Sequence, residues 1–298
     1  MINLDQLRIF QAVAEARSFT RAADIVHLTQ PGVSKHIKQM EEHYGVPLFD
    51  RLGKKVALTQ AGEILLEATH EIMASMRAAE QRIEEVKGSR GGKLVIGASF
   101  PLGMYVLPQI LAAFRKQYPA VEVSVDISLS EKIVAKILAN RLDVGLMSPG
   151  TNDPRLVSKQ FMTDELIAIA PSHHRWSKKK KIRPEELLGE TFIVAARGAG
   201  TRAVVEERLK EKGIVLSNVV DFGNMEGVKR AVEAGLGVSI QSKSVVEREI
   251  SDGTLAGVSL VGIDVKLARS YIYRKDKHLS SAAKAFLALL HGGAQKSA

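Results

Sequence analysis

The sequence lacks cysteine entirely, which excludes disulfides, thiolate nucleophiles and cysteine-ligated metal ions. It also lacks a run of about eighteen apolar residues, the length that predicts a membrane-spanning helix. The opening segment, MINLDQLRIF, has no basic region followed by an apolar one and does not resemble a signal peptide. The motifs G-x-S-x-G, H-E-x-x-H and the Walker loop are also missing. Together these absences predict a cytoplasmic protein that is not an enzyme.

Positive charge is abundant, but its distribution weakens an argument for nucleic-acid binding from net charge alone. The net charge is +9 over 298 residues, with +2 in residues 1–58, −2 in residues 59–92 and +9 in residues 93–298. Part of the excess lies in HHRWSKKKKIR (173–183), a pattern more typical of a solvated loop than of a binding patch. The length suits two or three domains.

Helical patterns occupy the first part of the chain. Apolar residues at three- and four-residue steps predict a helix over 4–15. Ser18 or Thr20 can cap a second helix over 21–26. A third helix follows after a break of about three residues, the spacing of a helix-turn-helix motif.

The third helix has two chemically different faces. Thr29 is its predicted N-cap, Pro31 suits its first turn and Gly45 its C-cap. The inward face is Val33, Ile37, Met40 and Tyr44, and the outward face is Gln30, Ser34 and Lys38, flanked by Pro31 and Lys35. An amide, a hydroxyl and ammonium groups bond base edges and phosphates. They lie in the N-terminal half, which a recognition helix inserts into the major groove.

Other interpretations of this stretch are weaker. His27, His36 and His43 do not repeat at the steps that place two metal ligands on one helix face, and no cysteine completes a site. A plain helical docking module remains an alternative.

A small wing and a long helix are predicted next. The segment PLFDRLGKKVALT indicates two short strands around a Gly-Lys-Lys turn. Thr59 can cap a helix that runs to about Val86. Its heptad row is Leu65, Thr69, Ile72, Met76, Ala79, Ile83 and Val86. Such a row predicts a partner helix, most simply from a second copy of the chain, with packing on its own domain as the alternative. GSRGG (88–92) indicates a flexible hinge.

From Lys93 onward, strand and helix patterns alternate. Strands are predicted at 93–98, 121–127, 143–147, 166–170, 191–196, 219–222, 237–241 and 267–273, and helices near 105–117, 131–139, 200–212, 225–234 and 280–290. The alternation predicts an α/β domain with largely parallel sheets. Its size suggests two lobes, with ligands at the carboxyl ends of the strands.

The N-terminal segment resembles a known family. The resemblance is carried by SFTRAADIVHLTQPGVSKHIKQMEEHYGVPLFDR and the following LTQAG, which are similar to the N-terminal domain of the LysR-type transcriptional regulators. It covers residues 1–87 closely and the remainder in layout. It implies a winged helix-turn-helix, a dimerising linker helix, a two-lobed effector domain like the periplasmic binding proteins, and a tetramer built as a dimer of dimers.

The resemblance also implies which residues face DNA. By position these are Thr29, Gln30, Pro31, Ser34, Lys35 and Lys38, with Arg51, Lys54 and Lys55 of the wing on the backbone or minor groove. Gly32 departs from the small non-glycine residue that the family usually has there. Relative to alanine, it lowers helix propensity by about 1 kcal/mol, which bears on the rigidity of the recognition helix.

Candidate ligand-binding residues follow strands and open helices in GASFPLGMY (97–105) and ARGAGTRAVVEERL (196–209). Helix starts with nearby hydroxyls attract anions, so a small anionic metabolite is predicted between the lobes, where the resemblance places an effector pocket. The candidates are Ser99, Phe100, Pro101, Ser128, Ser130, Thr201, Arg202, Asn224 and Met225. Helix capping explains each hydroxyl equally well.

The segment GAGTRA (198–203) also fits the G-x-G-x-x-A dinucleotide fingerprint, with Asp221 about twenty residues further on. The lobe is too small for a full dinucleotide domain, so this match is weak. A nucleotide-binding enzyme and a ligand-binding docking protein remain the alternatives.

The sequence therefore predicts an α/β protein with an N-terminal all-α winged helix-turn-helix domain and a C-terminal two-lobed, periplasmic-binding-protein-like domain. The predicted segments are a DNA-binding domain at 1–58, a linker helix at 59–87, a hinge at 88–92 and an effector domain at 93–298. Lobe I takes about 93–162 and 266–298, and lobe II about 163–265. The predicted function is regulation of transcription at a dyad promoter site, with double-stranded DNA, other copies of the chain and RNA polymerase as partners, no cofactor and no metal ion.

Overall fold

The computed structural model describes residues 2–52, 55–86, 91–197, 200–263 and 266–294. The chain divides into two units, Met1–Glu80 and Gln81–Ala298. The predicted hinge at 88–92 lies largely outside the described residues, although Gly92 is described and begins a strand. No helix in this part of the chain is long and apolar enough to cross a membrane.

Side-chain caps set the starts of the helices in the first unit. Its elements before the long helix are α1 Leu4–Ala16, α2 Phe19–Ile25, α3 Gln30–Tyr44, β1 Phe49–Leu52 and β2 Lys55–Leu58. Asn3, Ser18 and Thr29 each accept a hydrogen bond from a backbone N–H of the following first turn, which satisfies a donor that the helix leaves unpaired. Because Ser18 is the cap, α2 begins at Phe19, before the predicted start, and Thr20 lies inside it.

The inward face of α3 is as predicted except at its end. Val33, Ile37 and Met40 are buried in the core of the first unit. Tyr44 is 43% exposed because it is the last helical residue and lies beyond the edge of this core. Gly45 then adopts a φ of +71°, a left-handed conformation that glycine tolerates, and ends the helix.

Hydrogen bonds from the start of the wing to the C-terminal part of α3 fix the position of the wing. β1 and β2 pair antiparallel, with Phe49 opposite Leu58. Glu41 Oε1 accepts hydrogen bonds from the backbone N–H groups of Leu48 at 2.9 Å and Phe49 at 3.3 Å. A carboxylate acceptor makes these bonds stronger than neutral ones, so α3 fixes where the hairpin begins.

One long helix, α4 (Gln60–Val86), follows the wing. Thr59 caps it as predicted: its Oγ1 accepts from the Gly62 N–H at 3.1 Å and donates to the Pro47 carbonyl at 2.7 Å. Apolar members of the predicted row that are exposed include Ile72, Met76 and Ile83. They leave an apolar stripe on the helix surface.

The second unit alternates strands and helices. Its strands are β3 Gly92–Ala98, β4 Val121–Ile127, β5 Val144–Met147, β6 Leu156–Pro171, β7 Lys181–Ile182, β8 Phe192–Val194, β9 Val219–Asp221, β10 Ser239–Ser242, β11 Leu255–Leu260 and β12 Lys266–Arg274. Its helices are α5 Leu107–Gln117, α6 Ser130–Leu138, α7 Gly200–Glu211, α8 Met225–Glu233, α9 Lys243–Ser251 and α10 Ser281–Ala294, with a π-helical segment, Leu102–Val106, leading into α5. Each strand and helix predicted for this unit overlaps one of these elements, although several predicted bounds differ from the observed ones by one or two residues.

The main sheet is mixed rather than largely parallel. Its strand order is β4-β3-β5-β12-β6-β11-β7, and β10 also pairs with β6. β3 pairs parallel with β4 and β5, whereas β12 is antiparallel to β5 and β6. The difference arises because β12 runs opposite to β5 and β6, between which it lies in the middle of the sheet.

β6 and β12 connect the two lobes of this unit. The first part of β6 pairs with β12, whereas its last residues pair with β10 and β11. The first lobe contains β3–β5, α5, α6 and α10 around a core that includes Leu94, Phe114 and Phe286. The second lobe contains β7–β11 and α7–α9 around cores that include Trp176 and Val228.

The basic run 173–183 is only partly the solvated loop that its charge predicts. It contains a 3₁₀ turn, Arg175–Lys178, and the strand β7. Trp176 is fully buried, and its backbone N–H donates to Nδ1 of His174 at 3.3 Å. The lysines of the run remain exposed, so one aromatic residue anchors an otherwise charged segment.

Candidate functional site

The outer face of α3 presents polar groups close together. Gln30, Lys35 and Lys38 are exposed, and Ser34 is half-buried. Gln30 Nε2 donates to Ser34 Oγ at 2.9 Å, so an amide and a hydroxyl lie side by side near the start of the helix. Lys38 Nζ lies 3.7 Å from Glu42 in an exposed pair, which restrains the ammonium only weakly.

Thr29 and Pro31 form the start of the same helix. Thr29 Oγ1 accepts from the Gly32 N–H at 3.3 Å, and Pro31 occupies the first turn. A Cβ at Gly32 would lie 3.2 Å from Thr29 Oγ1, tighter than ordinary van der Waals contact. The glycine therefore leaves room for the cap.

The predicted wing residues are less fully described. Lys54 lies outside the described residues, and the structure describes the backbone but not the side chains of Arg51 and Lys55. Their contacts with DNA stay predictions.

A cavity of about 370 Å³ lies between the two lobes of the second unit. It is lined by Ser99, Phe100, Pro101, Ile127, Ser128, Leu129, Ser130, Lys132, Ser148, Ala195, Ala196, Gly200, Thr201, Gly223, Asn224, Met225 and Arg269. Every predicted ligand-binding residue except Arg202 is in this set. The structure thus brings together residues that lie more than a hundred positions apart in the chain.

Helix starts converge on the cavity from both lobes. Ser130 begins α6, Thr201 lies in the first turn of α7, and Asn224 caps α8 by accepting from the Gly227 N–H at 2.8 Å. Backbone N–H groups and the positive ends of helix dipoles make such a place favourable for negative charge. Asn224 therefore caps α8 and lines the cavity at the same time.

Ser99 supplies a buried hydroxyl at the end of β3. Its backbone N–H donates to the Leu146 carbonyl at 2.8 Å, but its Oγ has no hydrogen-bond partner within the described ranges. A buried polar atom without a partner is unusual. Its place among the cavity-lining residues is consistent with a ligand that bonds it.

Arg269 on β12 is a cavity residue that sequence reasoning missed. Its guanidinium is fully buried and donates to Asp164 at 2.6 Å, Ser242 Oγ at 2.7 Å and Ser148 Oγ at 3.1 Å. Asp164 on β6 also accepts from Ser244 Oγ at 2.5 Å. The available signal was an arginine inside the otherwise apolar strand LARSYIY, since buried charges are rare unless paired.

Two other cavity-lining residues that were not predicted lie at the same kinds of position as residues that were. Ser148 comes directly after β5, as Ser99 comes after β3 and Ser128 after β4. Lys132 lies in the first turn of α6, next to the predicted Ser130. Ser148 could therefore have been predicted in the same way as Ser99 and Ser128, from its position directly after a strand.

Arg202 is the prediction that the structure does not bring to the cavity. Its guanidinium donates to the Ala195 carbonyl at 2.6 Å, to Glu206 at 2.7 Å and to Asp221 at 2.9 Å. A backbone N–H from Gly223 and the charge of Arg202 lower the pKa of Asp221. Through these contacts Arg202 ties α7 to β9 and to the end of β8.

The same geometry weakens the dinucleotide interpretation of GAGTRA. Gly198 and Ala199 lie outside the described residues. Asp221, the residue that would bond a ribose, already accepts from Arg202 and from the Gly223 N–H at 2.8 Å. Among the described residues, no group of His, Asp and Glu side chains is arranged to hold a metal ion.

Family models match the chain on both sides of the linker. The model for the bacterial regulatory helix-turn-helix protein, lysR family, matches residues 4–63, and the model for the LysR substrate binding domain matches residues 87–295.

Similar proteins match over nearly all of their length. The chain is 34% identical over 285 residues to the RuBisCO operon transcriptional regulator of Allochromatium vinosum, covering 96% of this chain and 94% of that one. It is 34% identical over 293 residues to the HTH-type transcriptional regulator CbbR of Rhodospirillum rubrum, covering 98% and 97%. The crystal structure of full-length CbnR complexed with its target DNA matches the fold with a TM-score of 0.73 at 23% identity, covering 100% of both chains.

The outer face of α3, the wing and the cavity between two lobes lie within the segments that these models match. The family and its named members are transcriptional regulators, so the enzyme alternative is excluded. This chain belongs to the LysR-type family and is a DNA-binding transcriptional regulator with an effector-binding domain.

Proposed function

We propose that two copies of this chain pair along α4 and place their α3 helices in successive major grooves of a dyad DNA site. The observation that carries the proposal is the separation of faces on α3, with Val33, Ile37 and Met40 buried and the polar row outside. The exposed stripe of Ile72, Met76 and Ile83 on α4 supports pairing, because its spacing suits a second helix.

Each residue of the outer face has a proposed role that follows from its chemistry. Gln30 and Ser34 reach base edges, and Lys35 and Lys38 bond bases or phosphates. Thr29 and Pro31 bring the helix start, with its free N–H groups, against the backbone. The wing residues Arg51, Lys54 and Lys55 contact the backbone or the minor groove.

Lys35→Ala tests this assignment. We expect about tenfold weaker binding to the dyad site, equivalent to about 1.4 kcal/mol, and a shallower salt dependence because one phosphate contact is lost. Electrophoretic mobility shifts at several salt concentrations measure both quantities. The matched control is Arg8→Ala, which removes one positive charge from the exposed side of α1 and leaves α3 intact. Equal binding by the two variants would remove Lys35 from the contact set.

The cavity between the lobes is proposed to bind a small anionic metabolite. Support comes from the converging starts of α6, α7 and α8, the unpaired hydroxyl of Ser99 and the cationic Lys132 among the lining residues. The volume of about 370 Å³ is that of a small-molecule pocket.

Ligand binding is proposed to act on DNA through the assembly. In a tetramer built as a dimer of dimers, closure of the lobes about β6 and β12 changes the offset between dimers, the bend of the DNA and the access of RNA polymerase. Such coupling requires that the ligand bind two states with unequal affinity. A ligand that binds the cleft and leaves the footprint and the DNA bend unchanged would contradict this mechanism.

A further inference from the structure

Charge is sparse around the cavity between the lobes. Among the lining residues that the structure describes, Lys132 and Arg269 alone carry charged side chains. Lys132 is exposed and lies in the first turn of α6. Two charged residues next in sequence to lining residues are paired: Asp126 with Lys136 at 2.5 Å, and Arg202 with Asp221 at 2.9 Å.

The charge of Arg269 is neutralised inside the protein. Its ion pair with Asp164 has a distance of 2.6 Å, and the exposed fractions of the two side chains are 0% and 6%. In so dry an environment a buried charge is tolerated only with its counter-charge. A ligand therefore meets the Arg269–Asp164 pair as a neutral group, and among the described lining residues the positive charge that remains uncompensated is that of Lys132.

We propose that Asp164 is a specificity-determining residue that restricts the cleft to ligands with a single negative charge. The inference rests on the proposed function of the cleft as an anion site. A second carboxylate or phosphate charge on the ligand would lose its hydration without gaining a cation, because Asp164 already holds Arg269. Without the charge of Asp164, Arg269 becomes the missing cation, and the preference shifts to doubly charged ligands.

The test uses Asp164→Asn in the full chain. Asparagine keeps the size of aspartate and an acceptor oxygen for Arg269 and for Ser244 Oγ, but it removes the charge. The matched control is Asp143→Asn, which removes a carboxylate charge paired with Lys277 at 2.8 Å, at residues that do not line the cavity. The probes are succinamide, succinamate and succinate, which share one carbon skeleton and carry no, one and two negative charges.

Dissociation constants by calorimetry give the outcome. The wild type is expected to bind succinamate more tightly than succinate, and Asp164→Asn is expected to raise the ratio of succinate to succinamate affinity on the order of tenfold, the effect of one unit charge at a partly buried site. Asp143→Asn keeps the wild-type ratio. General damage to the fold weakens all probes together and does not produce this gain.

Other results overturn the inference in distinguishable ways. If the wild type prefers succinamate and Asp164→Asn keeps the same order, Asp164 does not set the charge preference, and the anion site stands. If the wild type binds no charged probe, or binds succinamide equally well, the proposed anion site fails and the inference fails with it.

Lys132→Gln provides a second variant in case Asp164→Asn does not fold. Lys132 is exposed, so its replacement leaves the core intact. We expect succinamate to bind this variant on the order of tenfold more weakly, with the affinity for succinamide unchanged. Unaltered succinamate binding would show that Lys132 is not the uncompensated charge of the site.

Discussion

Gly200 lies where the start of α7 approaches the end of β5. A Cβ added there would lie 1.9 Å from the carbonyl oxygen of Ser148, a backbone atom that cannot move aside as a flexible side chain would. Both residues line the cavity, so this glycine allows the two lobes to meet at the ligand site. Glycine is required at this position because a side chain has no space there, and not because of the backbone angle φ.

Gly200→Ala is therefore expected to destabilise the second unit by about 1–3 kcal/mol, the usual cost of overpacking. It should also weaken binding of succinamate by moving α7 away from Ser148. Urea unfolding and calorimetry measure the two effects. Gly292→Ala is the control, because a Cβ there meets nothing within 4 Å and alanine favours the helix. If both variants unfolded at the same urea concentration, the close approach would not limit the structure.

Candidate site residues could be predicted from the sequence where a local rule applied. Ser99, Ser128 and Thr201 follow strands and open helices, and such positions of an α/β lobe meet at one edge. Arg269 and Asp164 obey no such rule, because their pairing joins residues 105 positions apart. The ion pairs of Arg202 with Asp221 and Glu206 could not be predicted either, because they become visible only when β9 and α7 are placed.

At the scale of elements, an ionic cluster around the buried Lys229 connects α8 and α9 with the π-helical segment of the first lobe. Lys229 on α8 lies 2.7 Å from Glu226 and 2.6 Å from Glu249 of α9. Its Nζ also lies 4.8 Å from the centre of the Tyr105 ring, and Tyr105 Oη donates to Glu226. Burial opposes the charge on Lys229, but the hydrogen bonds outweigh burial and raise its pKa.

The pH dependence of this cluster has a definite sign. Burial by itself would raise the pKa of Glu226, but hydrogen bonds from Lys229 and Tyr105 outweigh it and hold the pKa below its ordinary value of 4.5. A depressed carboxylate pKa contributes stability that is present above the unfolded value and is lost as the pH falls through the folded value.

We therefore expect Glu226→Gln to lower the free energy of unfolding at pH 6–7, by an amount that shrinks as the pH falls below about 4.5. Urea unfolding of both proteins across this range measures the difference. Glu247→Gln, on the exposed side of α9, is the control. A difference that stayed constant down to pH 3 would show that the lost contribution is not ionic.

Helices and strands with a regular local sequence pattern were predictable. Those that form because they pair or pack with another element were not. The caps Ser18, Thr29 and Thr59 and the closing Gly45 follow from local hydrogen bonding and backbone freedom. The first part of β6 was missed because its polar residues show no strand pattern, and its pairing with β12 creates it. α9 and β11 escaped notice for a related reason, since both pack on β6.

At the scale of the whole molecule, the exposed stripe on α4 is the surface through which we propose that two copies pair. Met76 lies at the middle of that stripe, between Ile72 and Ile83. Burying a methionine side chain against a partner helix contributes about 1.5–3 kcal/mol to the free energy of association. A charged side chain at the same position would oppose association.

Met76→Glu is expected to weaken dimerisation at least tenfold and, with it, binding to the dyad site, while the monomer stays folded. Sedimentation equilibrium measures the assembly, and circular dichroism checks the fold. Ser75→Glu adds the same charge one position around the helix, where the side chain is already exposed and polar, and should leave the dimer intact. Dimers of normal strength in Met76→Glu would exclude this stripe as the pairing surface.

The sequence by itself determined what depends on neighbours along the chain. Helix capping, the two faces of α3, the apolar row of α4 and the alternation of strands and helices all follow from local periodicity and side-chain chemistry. The family was indicated separately, by the resemblance of the N-terminal segment to the LysR-type regulators. The tertiary structure decided what depends on register and on distant contacts: the mixed sheet, the outward Tyr44, the diverted Arg202 and the buried Arg269–Asp164 pair. The reason is physical, since a buried charge is tolerable only beside its counter-charge, and only the folded chain brings β6 and β12 together.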